Sequence, residues 1–156
     1  MELKMEHLTA IVDSREQTPW DLSPMTMETS GLSVGDYSIR GLESIVAIER
    51  KSLADFVACC GAERDRFQKE LDRLRGWPVN AIMIEANWAD LELGQWRSKL
   101  SAKQVQASFC SWIAQGHRII LGRDHATAAS IARAILFYAA RYRVREADGI
   151  MAGLPR

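Results

Sequence analysis

The chain has 156 residues, of which 47% are hydrophobic, and this is enough for one compact domain over residues 1–156. Twenty basic and twenty acidic residues leave no net formal charge, which excludes a strong whole-molecule field that would attract a polyanion. No segment approaches the roughly 20 apolar residues of a membrane span, and residues 1–7 lack a signal-like apolar core. We therefore expect a soluble intracellular protein, in the cytoplasm, nucleoid or nucleus.

The first third of the chain predicts three strands. Residues 9–13 form an apolar run typical of a strand, and residues 15–33 are polar, with two prolines and a glycine, as in a loop. Two further strands are predicted over residues 34–40 and 44–51. The three residues between them, 41–43, are a gap of hairpin size.

The middle of the chain switches to a helical pattern. Ser52 is followed three residues later by Asp55, the spacing of a capping box, and this predicts a helix that runs through Cys60. Residues 64–75 continue with apolar positions at helical spacing. Residues 80–86 are an apolar run of the β type.

The last third of the chain predicts two helices around one more strand. Ser101, with a glutamine three residues later, repeats the capping-box pattern and predicts a helix that ends at Gly116. Residues 117–122 are the fifth predicted strand. From Asp124 an alanine-rich helix runs towards Tyr142. Strands that alternate with helices favour an α/β sandwich with a sheet of about five strands.

The cysteines show no spaced ligand pattern with the three histidines. Cys59 and Cys60 are adjacent, and Cys110 stands alone. We expect buried free thiols in preference to a zinc site.

The predicted hairpin brings three charged side chains together. If the chain reverses about Leu42 and Glu43, antiparallel pairing sets Asp36 opposite Glu49, with Cβ atoms roughly 4.5–5.5 Å apart. Side chains on a strand alternate between faces, so Glu49 and Lys51 point the same way while Arg50 points to the other side. Asp36, Glu49 and Lys51 are therefore expected to converge.

Two carboxylates at this distance favour a hard divalent cation between them. With such an ion the trio would suit phosphodiester hydrolysis, with Lys51 orienting water or stabilising the charge of the transition state. The alternative is an ordinary surface ion pair of Glu49 and Lys51 beside an unrelated Asp36. Residues 45–48 are apolar on both faces, as in an interior strand, and charges at the end of such a strand favour the functional interpretation.

These residues match a known pattern, and the chain resembles the XPF-type structure-specific endonuclease domain, a branch of the restriction-endonuclease-like nucleases. The family signature is Gly-Asp, a spacer, then Glu-Arg-Lys, three residues and Asp. It is present as Gly35-Asp36, then residues 49–51 and Asp55. The upstream Asp-x-Arg-Glu element is present as residues 13–16, and similarity in the later helices and strands extends over nearly the whole chain.

The resemblance implies a restriction-endonuclease-like three-layer sandwich, with a central mixed sheet flanked by helices. It also implies Mg²⁺- or Mn²⁺-dependent cleavage of branched, flap or fork DNA, in repair or recombination. Asp36 and Glu49 would ligate the metal, with Asp13 as a third candidate ligand, and Lys51 would assist the water. The resemblance gives the remaining site residues the task of lining or bracing the site: Asp13, Arg15, Glu16, Arg50 and Asp55.

Elementary geometry leaves some of these roles open. Asp55 fits equally well as the helix-cap partner of Ser52. Arg50 should face away from the metal and hold Asp13 or Glu16. Glu85, at the end of its strand, is a candidate bystander or an additional acid, with the first interpretation preferred, and one or two metal ions fit the same acids.

In contrast to the larger family members, we expect no pair of helix-hairpin-helix modules after the nuclease domain. Only a basic segment, 141–145, remains there, and contact with phosphates and a solvated helix end explain it equally well. The resemblance implies pairing through the last helix, as a homodimer or with a DNA-binding partner protein. Core packing explains the small residues at 126–140 equally well.

Two other functions stay open. One is a catalytically silent DNA-binding or scaffold module, although Asp36, Glu49 and Lys51 are all present. The other is an accessory nuclease that needs a DNA-gripping partner, which agrees with the zero net charge.

Overall fold

A computed structural model describes residues 2–155, so both ends of the predicted domain, residues 1 and 156, lie outside the described range. The described residues form six strands and five α-helices, after a short 3-10 helix at Met5–His7. The strands are β1 (Thr9–Asp13), β2 (Thr26–Ser30), β3 (Tyr37–Ile39), β4 (Val46–Ser52), β5 (Val79–Glu85) and β6 (Ile119–Leu121). The helices are α1 (Leu53–Cys60), α2 (Arg64–Leu74), α3 (Trp88–Leu93), α4 (Ala102–Ala114) and α5 (His125–Ala152).

All six strands form one mixed sheet in the order β2-β1-β3-β4-β5-β6. Strand β3 is antiparallel to both β1 and β4, whereas β4, β5 and β6 run parallel. Strand β4 therefore lies inside the sheet, as its continuous apolar run predicted.

Helices cover both faces of the sheet and produce three layers. On one face α5 packs through alanines such as Ala132 against Ile48 and Met83. On the other face α1, α2 and α4 enclose Ala47 and Ile82 with Phe56, Phe67 and Trp112. The predicted three-layer α/β sandwich is confirmed.

Strand β2 is the one strand of the described sheet that the sequence did not predict, because residues 15–33 were expected to be a loop. All five of its residues are exposed, and it pairs in parallel with β1 along its whole length. Main-chain hydrogen bonds to β1 hold it at the sheet edge, since it has no buried side-chain face. An exposed edge strand lacks the apolar alternation on which strand prediction depends.

Other boundaries also differ from the predicted ones. Strand β3 covers only residues 37–39 of the predicted 34–40, because Gly35 has a positive φ of 75° and bends the chain. Helix α5 continues past Tyr142 to Ala152, so the basic segment 141–145 is helical and not a tail. Helix α3 and the 3-10 helix were not predicted.

The cysteines are all free thiols. Cys59 and Cys60 are buried as expected, but Cys110 is exposed on α4. The expectation of burial is therefore wrong for Cys110, which lies on the solvent side of an amphipathic helix. None of the helices found between residues 2 and 155 is long and apolar enough to span a bilayer.

Candidate active site

The hairpin of β3 and β4 places Asp36 beside Glu49. Tyr37 pairs with Ile48, and the Asp36 N–H donates to the Ile48 carbonyl over 2.8 Å. Gly35 makes this approach feasible, since a Cβ there would lie 3.2 Å from both the Ala47 Cβ and the Ile48 carbonyl oxygen. The positive φ and the lack of space together favour glycine at the start of the motif.

Hydrogen bonds to the main chain and an ion pair orient the three central side chains. The Arg50 N–H donates to Asp36 Oδ2 over 2.8 Å. Lys51 Nζ lies 3.2 Å from Glu49 Oε1. Asp36, Glu49 and Lys51 thus come together on one side of the sheet end, while the Arg50 side chain leaves from the other side.

Burial sets the electrostatics of the two acids. Loss of solvation, together with the neighbouring Asp36 charge, raises the pKa of Glu49 to about 8. Burial also raises the pKa of Asp36 above its ordinary value, and Glu16 adds to the rise. Burial alone would lower the pKa of Lys51, but the carboxylates of Glu49 and Glu70 outweigh it and raise that pKa. The site therefore holds more acidic groups than its own cation neutralises.

Asp36 and Glu49 open into a cleft of about 230 Å³. Arg15 and the loop 33–35 line one side, and Glu70 and Arg73 of α2 line the other. Carboxylates and cations thus face the same space, a combination that suits an anionic substrate only when a positive ion offsets the acids.

Asp13 braces the cleft without lining it. Its side chain is buried, and Oδ1 accepts the Leu32 N–H over 2.8 Å while Oδ2 accepts Arg15 Nε–H over 2.7 Å. Burial opposes ionisation, but the hydrogen bonds from Arg15 and Leu32 prevail and lower the pKa of Asp13. Since both Asp13 oxygens have donors, the structure offers Asp13 as the holder of Arg15, whose side chain is 77% exposed at the cleft.

Arg50 forms a clamp on the opposite face of β4. Its guanidinium contacts Glu16, with Nη1 at 3.2 Å from Oε1, and also pairs with Glu85 at the end of β5. The Glu85 carboxylate in turn lies 3.2 Å from Nδ1 of His125, the first residue of α5. Of the two expected partners, Arg50 therefore contacts Glu16, and Asp13 pairs with Arg15 instead. Glu85 thus lies on the face of β4 opposite to the acidic cleft, as a partner of Arg50.

Glu16 has a second partner that ties the clamp to the core. The Tyr37 hydroxyl donates to Glu16 Oε2 over 2.5 Å, and the main-chain N–H of Trp20 donates to the same hydroxyl over 2.9 Å. Burial, reinforced by the hydrogen bond to Glu16, raises the pKa of Tyr37. The hydroxyl therefore stays protonated and acts as the donor to Glu16.

Asp55 lies apart from the acidic cleft. Its main-chain N–H donates to Ser52 Oγ over 3.1 Å, which begins α1. Its exposed carboxylate faces a second depression that Lys51 and Glu70 share. The structure thus places Asp55 behind Lys51, one layer away from Asp36 and Glu49.

Two residues in and beside the site are not predicted from the sequence: Glu70 and His125. Glu70 Oε2 lies 3.2 Å from Lys51 Nζ. Its only local signal was an acid one turn after Phe67, and many solvated helix positions share that spacing. His125 follows the capping residue Asp124, and nothing in the local pattern indicates its contact with Glu85.

The carboxylates at the cleft are oxygen donors of the kind that Mg²⁺ binds. Within the described part of the chain, no three His, Cys, Asp or Glu side chains form a ready-made ligand cluster. Mg²⁺ commonly takes only one or two protein carboxylates and completes its shell with water and substrate phosphate. Asp36 and Glu49, two neighbouring acids with raised pKa values at an open cleft, fit that requirement.

The chain is similar to known proteins in sequence and in fold. The sequence model of the ERCC4 domain matches residues 12–145. The fold is similar to that of XPF from Aeropyrum pernix, with a TM-score of 0.65 and 19% identity, over 88% of this chain and 69% of that chain. A second structure, of XPF from Aeropyrum pernix in complex with DNA, gives a TM-score of 0.64 and 18% identity over 86% of this chain and 66% of that one. A search of curated proteins gives no match.

Proposed function

Because the chain belongs to the ERCC4 domain family and has the XPF-type nuclease fold, we propose that it is a metal-dependent DNA endonuclease. The observation that carries the proposal is that Asp36 and Glu49 line one cleft, with Lys51 paired to Glu49. The reaction would be hydrolysis of a phosphodiester bond.

Each residue of the trio has a task that its environment supports. Asp36 and Glu49 would hold Mg²⁺ or Mn²⁺, which when bound polarises a phosphate and makes water a better nucleophile. Lys51, kept charged by Glu49, would stabilise negative charge that develops on the scissile phosphate. Arg15, held by Asp13, presents an exposed guanidinium to the cleft and would bind a backbone phosphate.

The substrate would be DNA, with branched, flap or fork structures as the preferred forms. The motif residues resemble those of the XPF-type endonuclease domain, and a similar XPF structure was solved with DNA. Both observations support the proposal. A cleft of about 230 Å³ admits a phosphate and its neighbours, and within it we find no base-reading geometry. Specificity for DNA shape is therefore proposed, and sequence specificity is not.

An accessory nuclease is the second candidate. With zero net charge the molecule lacks the attraction that usually supplies most of non-specific DNA affinity. A DNA-gripping partner, or a second copy of the chain, would then complete the binding surface. A catalytically silent scaffold is less well supported, because neither acid nor the lysine of the trio is missing.

Cleavage is expected to depend on a divalent metal ion and on Asp36 and Lys51. We expect labelled flap, fork, junction and plain duplex DNA to be cut in Mg²⁺ or Mn²⁺ and to stay intact in EDTA. Asp36→Asn and Lys51→Ala should each lower the single-turnover rate roughly 100-fold or more, because each removes a group that contacts the reacting centre.

Glu146→Gln provides the control, since it removes an exposed carboxylate on α5 that does not line the cleft. It should cut at the wild-type rate. Undiminished cutting by Asp36→Asn would reject the site, and a wild-type protein that cuts only with an added DNA-binding partner would favour the accessory nuclease.

A further inference from the structure

Helix α2 brings an acid to the cleft for which the proposed reaction has no task. Glu70 stands three residues after Phe67, so both project from one face of α2. Its carboxylate lines the cleft together with Asp36 and Glu49. A third acid adds repulsion to a pair whose ionisation is already opposed, so its presence there calls for a compensating contact.

Lys51 supplies that contact. Its Nζ lies 3.2 Å from Glu49 Oε1 and 3.2 Å from Glu70 Oε2, so the ammonium group is held between one acid on β4 and one on α2. The side chains are 15% exposed for Lys51 and 28% for Glu70, unlike the solvated pairs that contribute little. Among residues 2–155, Glu70 forms an ion pair with Lys51 alone.

A third contact narrows the position of the ammonium group. The Lys51 Nζ lies 5.6 Å from the centroid of the Phe67 ring, within the range of a cation–π interaction. Lysine has a flexible four-carbon stem, so one carboxylate would not hold it in a single orientation. Glu49, Glu70 and Phe67 restrict it from three directions.

Helix α2 is itself anchored firmly enough to serve as a support. Phe67 is buried, with its ring centroid 4.9 Å from that of Trp112 and 6.4 Å from that of Phe56. The Trp112 indole N–H also donates to Gln68 Oε1 over 3.0 Å. Glu70 therefore approaches the site from an element whose position the aromatic core determines.

We propose that Glu70 is a positioning residue that acts through Lys51. In the proposed function Glu49 binds the metal. A carboxylate that neutralises a metal ion attracts the Lys51 ammonium group less strongly. Glu70 remains as the counter-ion that holds the ammonium group beside Glu49. This inference rests on the proposed function, because only a reaction at the cleft gives the orientation of Lys51 a consequence.

The pairing is tested first, without any need for activity. The unfolding midpoint is measured for wild type, Glu70→Gln, Lys51→Met and the double variant, with folding checked by circular dichroism. If Glu70 pairs with Lys51, Glu70→Gln lowers the midpoint less in the Lys51→Met background than in wild type. Equal shifts in both backgrounds would overturn the proposal.

The consequence for the reaction is tested with the same four proteins in single-turnover cleavage. We expect Glu70→Gln to lower the rate 10- to 100-fold with little change in DNA affinity, the size of effect seen when a supporting contact of a site residue is removed. In the Lys51→Met background the same substitution should change the rate less than twofold. An equal loss in both backgrounds would contradict action through Lys51.

Asp72→Asn is the matched control, because Asp72 is an exposed acid on the same helix. It should leave both the midpoint and the rate unchanged. If wild type cuts none of the DNA substrates, the proposed function fails, yet the unfolding measurements still decide whether Glu70 is paired with Lys51. The two failures are therefore distinguishable.

Discussion

Glu49 carries the main electrostatic conflict at the scale of single residues. It is only 9% exposed, lies beside Asp36, and has a pKa of about 8 where an ordinary glutamate has 4.5. Without a bound cation, burial and the neighbouring Asp36 charge therefore oppose ionisation of Glu49.

This conflict predicts how stability depends on pH. Since the folded state binds the Glu49 proton more tightly than the unfolded state, the resulting stabilisation is complete below about pH 4.5 and is lost as pH rises through about 8. In EDTA, wild type should lose on the order of 1–3 kcal/mol of unfolding free energy relative to Glu49→Gln across this window. Denaturant titrations at several pH values measure the difference.

Divalent metal provides the internal control for that experiment. Mg²⁺ should stabilise wild type at pH 8 and leave Glu49→Gln nearly unaffected, since only ionised carboxylates bind the ion well. Parallel pH curves for the two proteins would show that Glu49 titrates as an ordinary exposed acid.

At the scale of secondary structure elements, Arg50 joins parts of the chain that are distant in sequence. Its side chain contacts Glu16 from the loop after β1 and Glu85 from β5, and its N–H orients Asp36. The side chains involved are between 11% and 17% exposed, so the ion pairs are shielded from solvent. The clamp thus connects the position of Asp36 with the packing of three elements.

The clamp predicts a specific cost for a conservative change. Arg50→Lys keeps the charge but loses the planar fork that reaches Glu16 and Glu85 together. We expect the free energy of unfolding to fall by roughly 2–3 kcal/mol in a denaturant titration, as for lost hydrogen bonds between charged partners. Arg143→Lys, at an exposed pair with Glu146, should change it by less than about 0.5 kcal/mol. Equal effects would show that the Arg50 fork contributes nothing special.

At the scale of the whole molecule, α5 exposes an apolar surface beside the sheet. A groove of about 570 Å³ lies between Val79 of β5 and the helix positions Ile131, Ile135, Tyr138 and Tyr142. Tyr138 and Tyr142 are 49% and 59% exposed. The resemblance of the motifs implies pairing through the last helix, and we propose this groove as the contact of a homodimer.

Sedimentation equilibrium tests the pairing. We expect the wild type to be a dimer and the Tyr138→Glu variant to be a monomer, because the substitution places a charge in the desolvated contact. Ile113→Glu, which alters an exposed apolar residue on α4 in the opposite layer, should leave the mass unchanged. A monomeric wild type at all concentrations would exclude the homodimer and would direct attention to a different partner.

The amino-acid sequence by itself determined the features whose physics is local. Period-two and helical patterns, capping residues and the short turn between β3 and β4 predicted most elements. The same turn set Asp36 opposite Glu49, because antiparallel register follows from the distance to the turn.

Only the tertiary structure decided the contacts that depend on packing between distant segments. Strand β2 became a strand because β1 offered free main-chain groups at the sheet edge. Glu70 met Lys51 because aromatic packing seats α2 over the end of β4, and Glu85 met Arg50 because β5 runs parallel beside it. Arg50 and His125, for example, are 75 positions apart, and no local pattern encodes such contacts.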